Sequence, residues 1–335
     1  MDRRFLSVGC ALAVIVACAV ALLFVGTVDI ACGDVVDALC GRGNGVTDAI
    51  VWQLRVPVVF TSLAAGVALS VAGLLLQTTF DNPLAGPSIL GVSTGASLGV
   101  AIVMLALGGA TGVAWYLGSL FGALSGAAAV MAVLLLFSTV VRSHAMLLIV
   151  GILISYLVSA AISLLNFYST AQGVHSYVIW GLGTFWGLTP AHTWVLCVSV
   201  ALSVFAACLY VKPLNALLLG DTYARSMGVS LKATRNGLLV VSGVLTAVVT
   251  AFCGPVGFLG LVVPHIARLT AQTSNHAVLL PATAAWGGAI GLLCALLSVV
   301  FGGGSVIPVN AITPVISVPV IIYVIVNRNR LAYFR

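Results

Sequence analysis

Charge is what this chain has least of. Charged residues make up only 6% of its 335 residues, and the sequence contains no glutamate. A soluble domain needs roughly a quarter of its residues charged to present a surface to water. The apolar class accounts for 61% of the residues. This composition excludes a water-soluble monomer and indicates a membrane protein.

The sequence also lacks the motifs of a chain that carries out chemistry. It contains no G-x-x-x-x-G-K-[ST] loop and no Gly-Lys pair, so any ATP with its Mg²⁺ has to be bound by another polypeptide. The eight cysteines include no C-x-x-C pair and no Cys/His cluster with zinc spacing. An intramembrane enzyme would need a buried nucleophile, carboxylate or metal cluster, and the sequence shows none. We expect no catalytic residue, no metal site and no cofactor bound by this chain.

What the chain does have is a succession of apolar runs. Each is about the twenty residues that a helix needs to cross roughly 30 Å of hydrocarbon. We predict an all-α, polytopic membrane protein in which residues 1–335 form a single transmembrane domain of about ten helices. The first run lacks a convincing cleavage site and is predicted to be retained. The predicted spans are 6–27, 56–80, 87–108, 113–139, 145–167, 190–210, 233–252, 256–270, 278–301 and 308–327.

The basic residues predict the orientation, because Lys and Arg close to span ends are held on the cytoplasmic side. With ten spans both termini are cytoplasmic, and only Arg42 and Arg55 lie outside. The first outer loop is acidic and contains Cys32 and Cys40, whose pairing the sequence leaves open. The net charge of +6 reflects this asymmetry, and no nucleic-acid partner is indicated. The predicted inner residues are Arg3, Arg4, Arg142, Lys212, Arg225, Lys232, Arg235, Arg268, Arg328, Arg330 and Arg335.

Ionisable groups are missing from the predicted mid-membrane region. Ion-coupled carriers and proton pumps usually hold Asp, Glu, His or Lys there as binding or relay groups. Here every aspartate falls near a span end or in a loop. We therefore expect the energy for any transport to enter from another subunit. An ion-coupled secondary transporter remains the alternative, since its general composition would be similar.

One charged segment, 212–235, interrupts the apolar pattern between spans six and seven. Each of its charges would cost on the order of 2.5 to 3.5 kcal/mol at the centre of a membrane helix, so it is predicted to be a cytoplasmic loop. Asp221 is a candidate N-cap and Gly228 a candidate helix terminator, which predicts a short helix between them. So short a helix is unstable alone in water, and we expect another protein's surface to hold it.

Several long motifs carry a resemblance to a known family. LNALLLGDTYARSMGV resembles the L-x-x-L-x-L-G-[ED]-x-x-A-x-x-L-G-V segment of the FecCD-type permeases, the membrane subunits of bacterial ABC importers for iron-siderophores, haem and cobalamin. Residues 54–100, GPVGFLGLVVPHIARL from Gly254 and PVNAITPVISVPVIIYVI from Pro308 are similar to further family segments, in the same order. HSYVIWGLGTFWGL, from His175, resembles the family's short outer helix. The resemblance covers nearly the whole chain.

This resemblance implies the permease architecture of a type II ABC importer, located in the bacterial cytoplasmic (inner) membrane. The implied function is ATP-driven uptake of iron-siderophore, haem or cobalamin-type chelates delivered by an extracytoplasmic substrate-binding protein. The implied partners are a second permease copy, two ATP-binding subunits and the lipid bilayer. A related permease as the second copy is the open variant, and the cargo is not specified by the sequence.

The resemblance also implies site residues. The first arginine of the family's outer R-x-P-R motif corresponds to Arg55, but Val58 stands at the second position, so docking of the binding protein is expected to use Arg55 with Arg42. His265, at the inner end of span eight, is interpreted as a structural group and not a ligand. The implied ATPase-coupling residues are Gly220, Asp221, Ala224, Arg225 and Gly228, and the implied cytoplasmic gate consists of Asn82, Leu84, Ser143 and His144.

Overall fold

A computed structural model describes residues 3–106, 113–141 and 143–327 of the chain, and regular structure within these ranges is entirely helical. Two π-helical segments, Val51–Arg55 and Ile102–Ala106, continue neighbouring α-helices. In chain order the helices are α1 (Arg3–Phe24), α2 (Cys32–Leu39), α3 (Gly45–Ile50), α4 (Val56–Thr79), α5 (Val92–Ala101), α6 (Val113–Val140), α7 (His144–Tyr168), α8 (Ala171–Gly181), α9 (Pro190–Leu209), α10 (Val211–Leu217), α11 (Asp221–Ser226), α12 (Leu231–Cys253), α13 (Leu259–Ala271), α14 (His276–Val300) and α15 (Val309–Val326).

Each of the ten predicted spans corresponds to a helix, which confirms the all-α polytopic fold. Within the described ranges, seven helical segments are long and apolar enough to cross a membrane, and three shorter apolar helices complete the set. The shortest of these, α13, has 13 residues. At 1.5 Å per residue it extends about 20 Å, which is less than the hydrocarbon thickness. A non-helical segment, residues 254–258, precedes it; Gly254 and Val256 of this segment are buried, whereas Phe258 is exposed.

Helix α4 forms the centre of the molecule. It contacts α14, α12, α13 and α9. In the most apolar 18 residues of the helical segment Gly45–Thr79, which ends with α4, 78% of the residues are buried, whereas the corresponding share is 22% for α1, α7 and α9. A helix that is apolar on every side needs protein or lipid on every side. Protein covers most of α4, although Phe60 remains exposed.

Glycines permit a close helix contact between α5 and α6. A Cβ atom at Gly99 would collide with the carbonyl oxygen of Gly122, and one at Gly126 would collide with that of Gly95. Small residues allow such backbone approach where no hydrophobic effect drives helices together. The four-residue spacing of Gly95 and Gly99, and of Gly122 and Gly126, predicts that each pair lies on one face of its helix. Gly91 continues the first series in the sequence, but it precedes α5 with φ 78° and faces α7.

The loop between α1 and α4, which the sequence predicts to lie outside and which we name the outer loop, contains α2 and α3. Cys32 begins α2 and Cys40 follows its last residue, and both are exposed free thiols. Eight helical steps separate their Cα atoms by about 12 Å. A disulfide requires Cα atoms within about 7 Å, so the helix keeps this pair apart.

Substitution of Gly99 by alanine tests the close packing of α5 on α6. The added methyl group meets a backbone carbonyl that cannot rotate away, so we expect the free energy of unfolding to fall by about 1–3 kcal/mol. Gly9→Ala in α1 is the matched control, since nothing lies within 4 Å of a Cβ at Gly9. Thermal unfolding in detergent measures both variants. Equal melting temperatures for the two would contradict the packing described.

Candidate functional site

The short helix α11 lies in the charged segment between α9 and α12, and its end is a complete Schellman motif. The N–H of Val229 donates to the carbonyl of Ala224 at 3.0 Å, and that of Gly228 to the carbonyl of Arg225 at 2.9 Å. Gly228 has φ 82°, a left-handed conformation that glycine adopts without steric cost. The predicted helix terminator is therefore present in the structure.

The start of α11 differs from the prediction. Asp221 is the first residue of the helix, Gly220 occupies the N-cap, and no side chain caps the helix. The carboxylate of Asp221 instead accepts a hydrogen bond from Nη2 of Arg235 in α12 at 2.6 Å. The N-cap prediction was wrong because it considered only local partners. The ion pair ties α11 to the beginning of α12.

Contacts within the chain hold α11, in addition to the partner surface that the sequence predicts. Ala224 is fully buried in a small apolar cluster whose other buried members are Ala216 of α10 and Leu231 of α12. Leu217 and Val229 pack against the cluster. The helix is therefore stabilised by contacts within the chain. Ala224, predicted as a docking residue, contributes to this internal packing and not to the surface.

Apolar side chains remain exposed around α11. Tyr223 and Met227 are 54% and 59% exposed, and their four-residue spacing places them on one side of the short helix. Arg225 is exposed as well. Leu218 and Leu219, which immediately precede α11, are also exposed. We name these five residues the coupling surface. Exposed apolar groups next to a cation are typical of a protein interaction site.

A tight turn, the inner turn (residues 80–85), follows α4. Asp81 adopts φ 46°, and the N–H of Asn82 donates to the carbonyl of Gln77 at 3.1 Å. The side-chain oxygen of Asn82 accepts from the N–H of Leu84 at 2.9 Å. Asn82 thus builds the turn with its own side chain. Leu84 is exposed, which leaves it available for contact with cargo or another subunit.

Helix α13 holds the inner turn in place. Nε2 of His265 donates to the carbonyl of Pro83 at 2.8 Å. Nη1 of Arg268 donates to Oε1 of Gln77 at 2.7 Å, and Nε2 of Gln77 donates to the carbonyl of Leu261 at 3.0 Å. His265 and Gln77 are almost completely buried. The structural interpretation of His265 agrees with this geometry.

The other predicted gate residues lie at the start of α7. Ser143 is exposed and precedes the first residue of the helix. His144 begins α7, and its side chain lies outside the described part of the chain.

A cavity of about 580 Å³ opens between α5, α7 and α8. Its lining is unusually rich in hydroxyl groups, and among the described residues around it none is charged. Ser97 and Ser163 donate their hydroxyl hydrogens to backbone carbonyls four residues earlier, which leaves oxygen lone pairs available for a ligand. The seven hydroxyl-bearing residues are Ser88, Ser93, Thr94, Ser97, Ser159, Ser163 and Tyr177.

One wall of the cavity is the non-helical segment 254–258. Asn310 of α15 binds this segment on both sides: Nδ2 donates to the carbonyl of Pro255 at 2.6 Å, and Oδ1 accepts from the N–H of Gly257 at 3.0 Å. Phe258 has φ 69°, is partly exposed and lines the cavity. A phenylalanine with positive φ is strained and persists only where its surroundings enforce it. Asn310 supplies that constraint.

Arg55 does not lie where the docking prediction requires. Its side chain is 1% exposed, and the guanidinium donates to the carbonyls of Leu23, Phe24 and Val28 at 2.7, 3.0 and 2.7 Å. Leu23 and Phe24 are the last residues of α1, whose carbonyls have no helical partner. Arg55 therefore caps α1 and cannot meet another protein. Arg42 is exposed in the outer loop and remains the arginine available for docking.

Sequence reasoning missed several polar residues that link elements. They are buried or half-buried between apolar helices, where an unpaired polar group is costly. Their presence within or beside apolar spans could have identified them, because polar groups in such positions usually pair with another polar group. The main examples are Gln77, Thr78, Asn215, His276 and Asn310.

The comparisons with known proteins agree with this geometry. The sequence model of the FecCD transport family matches residues 12–327. The vitamin B12 import system permease protein BtuC of Salmonella paratyphi A is 34% identical over 295 residues, 88% of this chain and 87% of the relative. The protein of the same name from Citrobacter koseri is 34% identical over 284 residues, 84% of each. A solved metal-chelate type ABC transporter in an inward-facing conformation matches with TM-score 0.84 and 26% identity, over 96% of this chain and 98% of that one.

Replacement of Arg55 by leucine tests its structural role. Two carbonyls at the end of α1 and that of Val28 in the following loop would lose their donor, so we expect the free energy of unfolding to fall by about 2–4 kcal/mol. Arg55→Lys should recover only part of this loss, because an ammonium cannot reproduce the guanidinium fork. Arg42→Leu is the control and should leave thermal unfolding in detergent unchanged. An Arg55→Leu variant as stable as the Arg42→Leu variant would contradict the assignment.

Proposed function

Because the chain belongs to the FecCD transport family, we propose that it is the permease subunit of an ATP-driven importer of iron-siderophore, haem or cobalamin-type chelates. The observation that carries the proposal is a preformed coupling surface on a helix that the chain itself stabilises. A rigid helix with exposed Tyr223 and Met227 suits docking into a partner that performs mechanical work.

The proposed partner of the coupling surface is a subunit that binds nucleotide. We assign ATP and Mg²⁺ to two separate ATP-binding subunits, one for each of two permease copies. The ion pair between Asp221 and Arg235 and the buried Ala224 make α10, α11 and the start of α12 one unit. A force on α11 would therefore move the whole unit as a rigid body and would not unfold α11 locally.

The proposed orientation places the coupling surface, the inner turn and both termini on the cytoplasmic side of a bacterial inner membrane. Lys212, Arg225 and Lys232 are exposed in the described structure and support this orientation by the positive-inside rule. The outer loop with α2 and α3 would then face the substrate-binding protein. Arg42 is the arginine of that loop which is free to contact it.

The cavity between α5, α7 and α8 is the proposed part of the cargo route. Neutral hydroxyls can hydrogen-bond to the polar rim of a chelate without binding it tightly. This property suits a transport pathway better than a high-affinity binding site. The inner turn, with exposed Leu84, would close the route from the cytoplasmic side together with the start of α7. Movement of α4 would open and close this gate.

Charge reversal on the coupling surface tests the proposed function. The permease is co-expressed with its ATP-binding subunits, and ATP hydrolysis by the reconstituted complex is measured. We expect Arg225→Glu, Met227→Asp or deletion of residues 221–227 to reduce permease-stimulated hydrolysis about tenfold or more, since buried interface anchors contribute about 2 kcal/mol each.

Arg42→Glu is the control for this experiment, because it reverses an exposed arginine on the opposite side of the protein. Its hydrolysis rate should match that of the unmodified chain, and all variants should insert into the membrane normally. Normal stimulation in the deletion variant would contradict docking through α11. Uptake driven by an ion gradient without the ATP-binding subunits would favour a secondary transporter.

A further inference from the structure

A chain of side-chain hydrogen bonds connects the charged segment 212–235, which we name the coupling segment, to the central helix α4. Its first member is Asn215 in α10, which packs beside α11. Oδ1 of Asn215 accepts from the backbone N–H of His276 at 2.8 Å and is 3.0 Å from Nδ1 of the same residue. Nδ2 of Asn215 donates to Oδ1 of Asn275 at 2.9 Å. Helix α10 is thereby fixed to the start of α14 by three hydrogen bonds.

The ring of His276 extends this link to α4. Because the amide oxygen of Asn215 can only accept, Nδ1 of His276 carries the proton of a neutral ring. Nε2 is then an acceptor. The hydroxyl of Thr78 lies 2.9 Å from it and 3.1 Å from the carbonyl of Leu74, so its one hydrogen is shared between these two acceptors. His276 is completely buried and Thr78 nearly so. The tautomer of His276 is set by its contact with Asn215.

Thr78 lies next to the residue that anchors the inner turn. Its neighbour Gln77 accepts the N–H of Asn82 through its carbonyl and the guanidinium of Arg268 through its side chain. His265, one turn before Arg268 on α13, holds Pro83. The hydrogen bonds from Asn215 end at Thr78, and the backbone of α4 continues the connection through Gln77 to the inner turn.

The chemistry of this link differs from ordinary helix packing. Apolar side chains of similar shape could fill the same space at comparable stability, but they would allow α10 to slide along α14. Directional hydrogen bonds in a buried, water-poor setting hold one register. A displacement of α10 must then carry the inner end of α4 with it, or break the bond at Thr78.

We infer that Asn215, His276 and Thr78 form a polar relay that transmits movement of the coupling segment to the inner turn. The inference rests on the proposed function, since the relay requires a partner that moves α11. The three residues act as positioning residues and touch neither nucleotide nor cargo. Removal of one hydroxyl in the relay should therefore separate the response of the inner turn from that of α11.

Hydrogen–deuterium exchange on the complex with its ATP-binding subunits tests the relay without knowledge of the cargo. Amide exchange is compared between the nucleotide-free complex and the complex with a non-hydrolysable ATP analogue, at residues 217–231 and 80–90. The unmodified chain should respond in both segments. Thr78→Val should keep the response at 217–231 and reduce that at 80–90 by about threefold or more.

Two variants serve as controls. Thr78→Ser retains the hydroxyl and should restore the response at residues 80–90. Thr61→Val makes the same substitution elsewhere in α4, where the buried hydroxyl of Thr61 lies 3.2 Å from that of Thr193, and should respond like the unmodified chain. Exchange in the interior of α4, residues 62–75, should be equal in all variants, which shows that the helix is folded.

Several outcomes would overturn the relay. A full response at residues 80–90 in Thr78→Val would show that the hydroxyl transmits nothing. A loss of equal size in Thr61→Val, or altered exchange at 62–75, would indicate general destabilisation. A response of the unmodified chain at 217–231 alone would show that the two segments are not linked. An unmodified chain that does not respond at 217–231 would refute the proposed function itself, and the relay with it.

Discussion

Backbone groups that leave a helix inside a membrane must find hydrogen-bond partners within the protein, because lipid offers none. This constraint explains the polar residues of an otherwise apolar chain. Arg55 caps the end of α1, and His265 bonds to the inner turn. Asn310 bonds to the segment before α13. At these three interruptions a side chain from a neighbouring element supplies the hydrogen-bond partner.

The same matching provides fixed connections along which the proposed movement can be transmitted. Helix α4 is mostly covered by protein, and the side chains at its inner end bond to α13 and α14. Helix α11 is too short to be stable alone. Its Schellman end, the ion pair to Arg235 and the burial of Ala224 stabilise it. Rigid elements joined by directional hydrogen bonds move together, whereas loosely packed elements would move independently.

The sequence predicted the fold well, because the length and hydrophobicity of a span are local properties. All ten spans have a helix, and the position of α11 followed from charge cost and Gly228. The roles of single side chains were less predictable, because they depend on distant partners. Asp221 pairs with Arg235 of α12 and does not cap its own helix. Arg55 donates its hydrogen bonds to the end of α1 and is buried there. Asn215 and His276 are far apart in sequence, so nothing local indicated their contact.

The central claim is that a chain without its own nucleotide site receives mechanical work through α11 on the cytoplasmic side. A cryo-electron microscopy structure of the permease with its nucleotide-bound ATP-binding subunits measures this most directly. The account predicts that Tyr223, Arg225 and Met227 are buried against the ATP-binding subunit while the bonds from Asn215 to Thr78 remain intact. A complex in which α11 faces the binding protein, or has no contact with either partner, would contradict it.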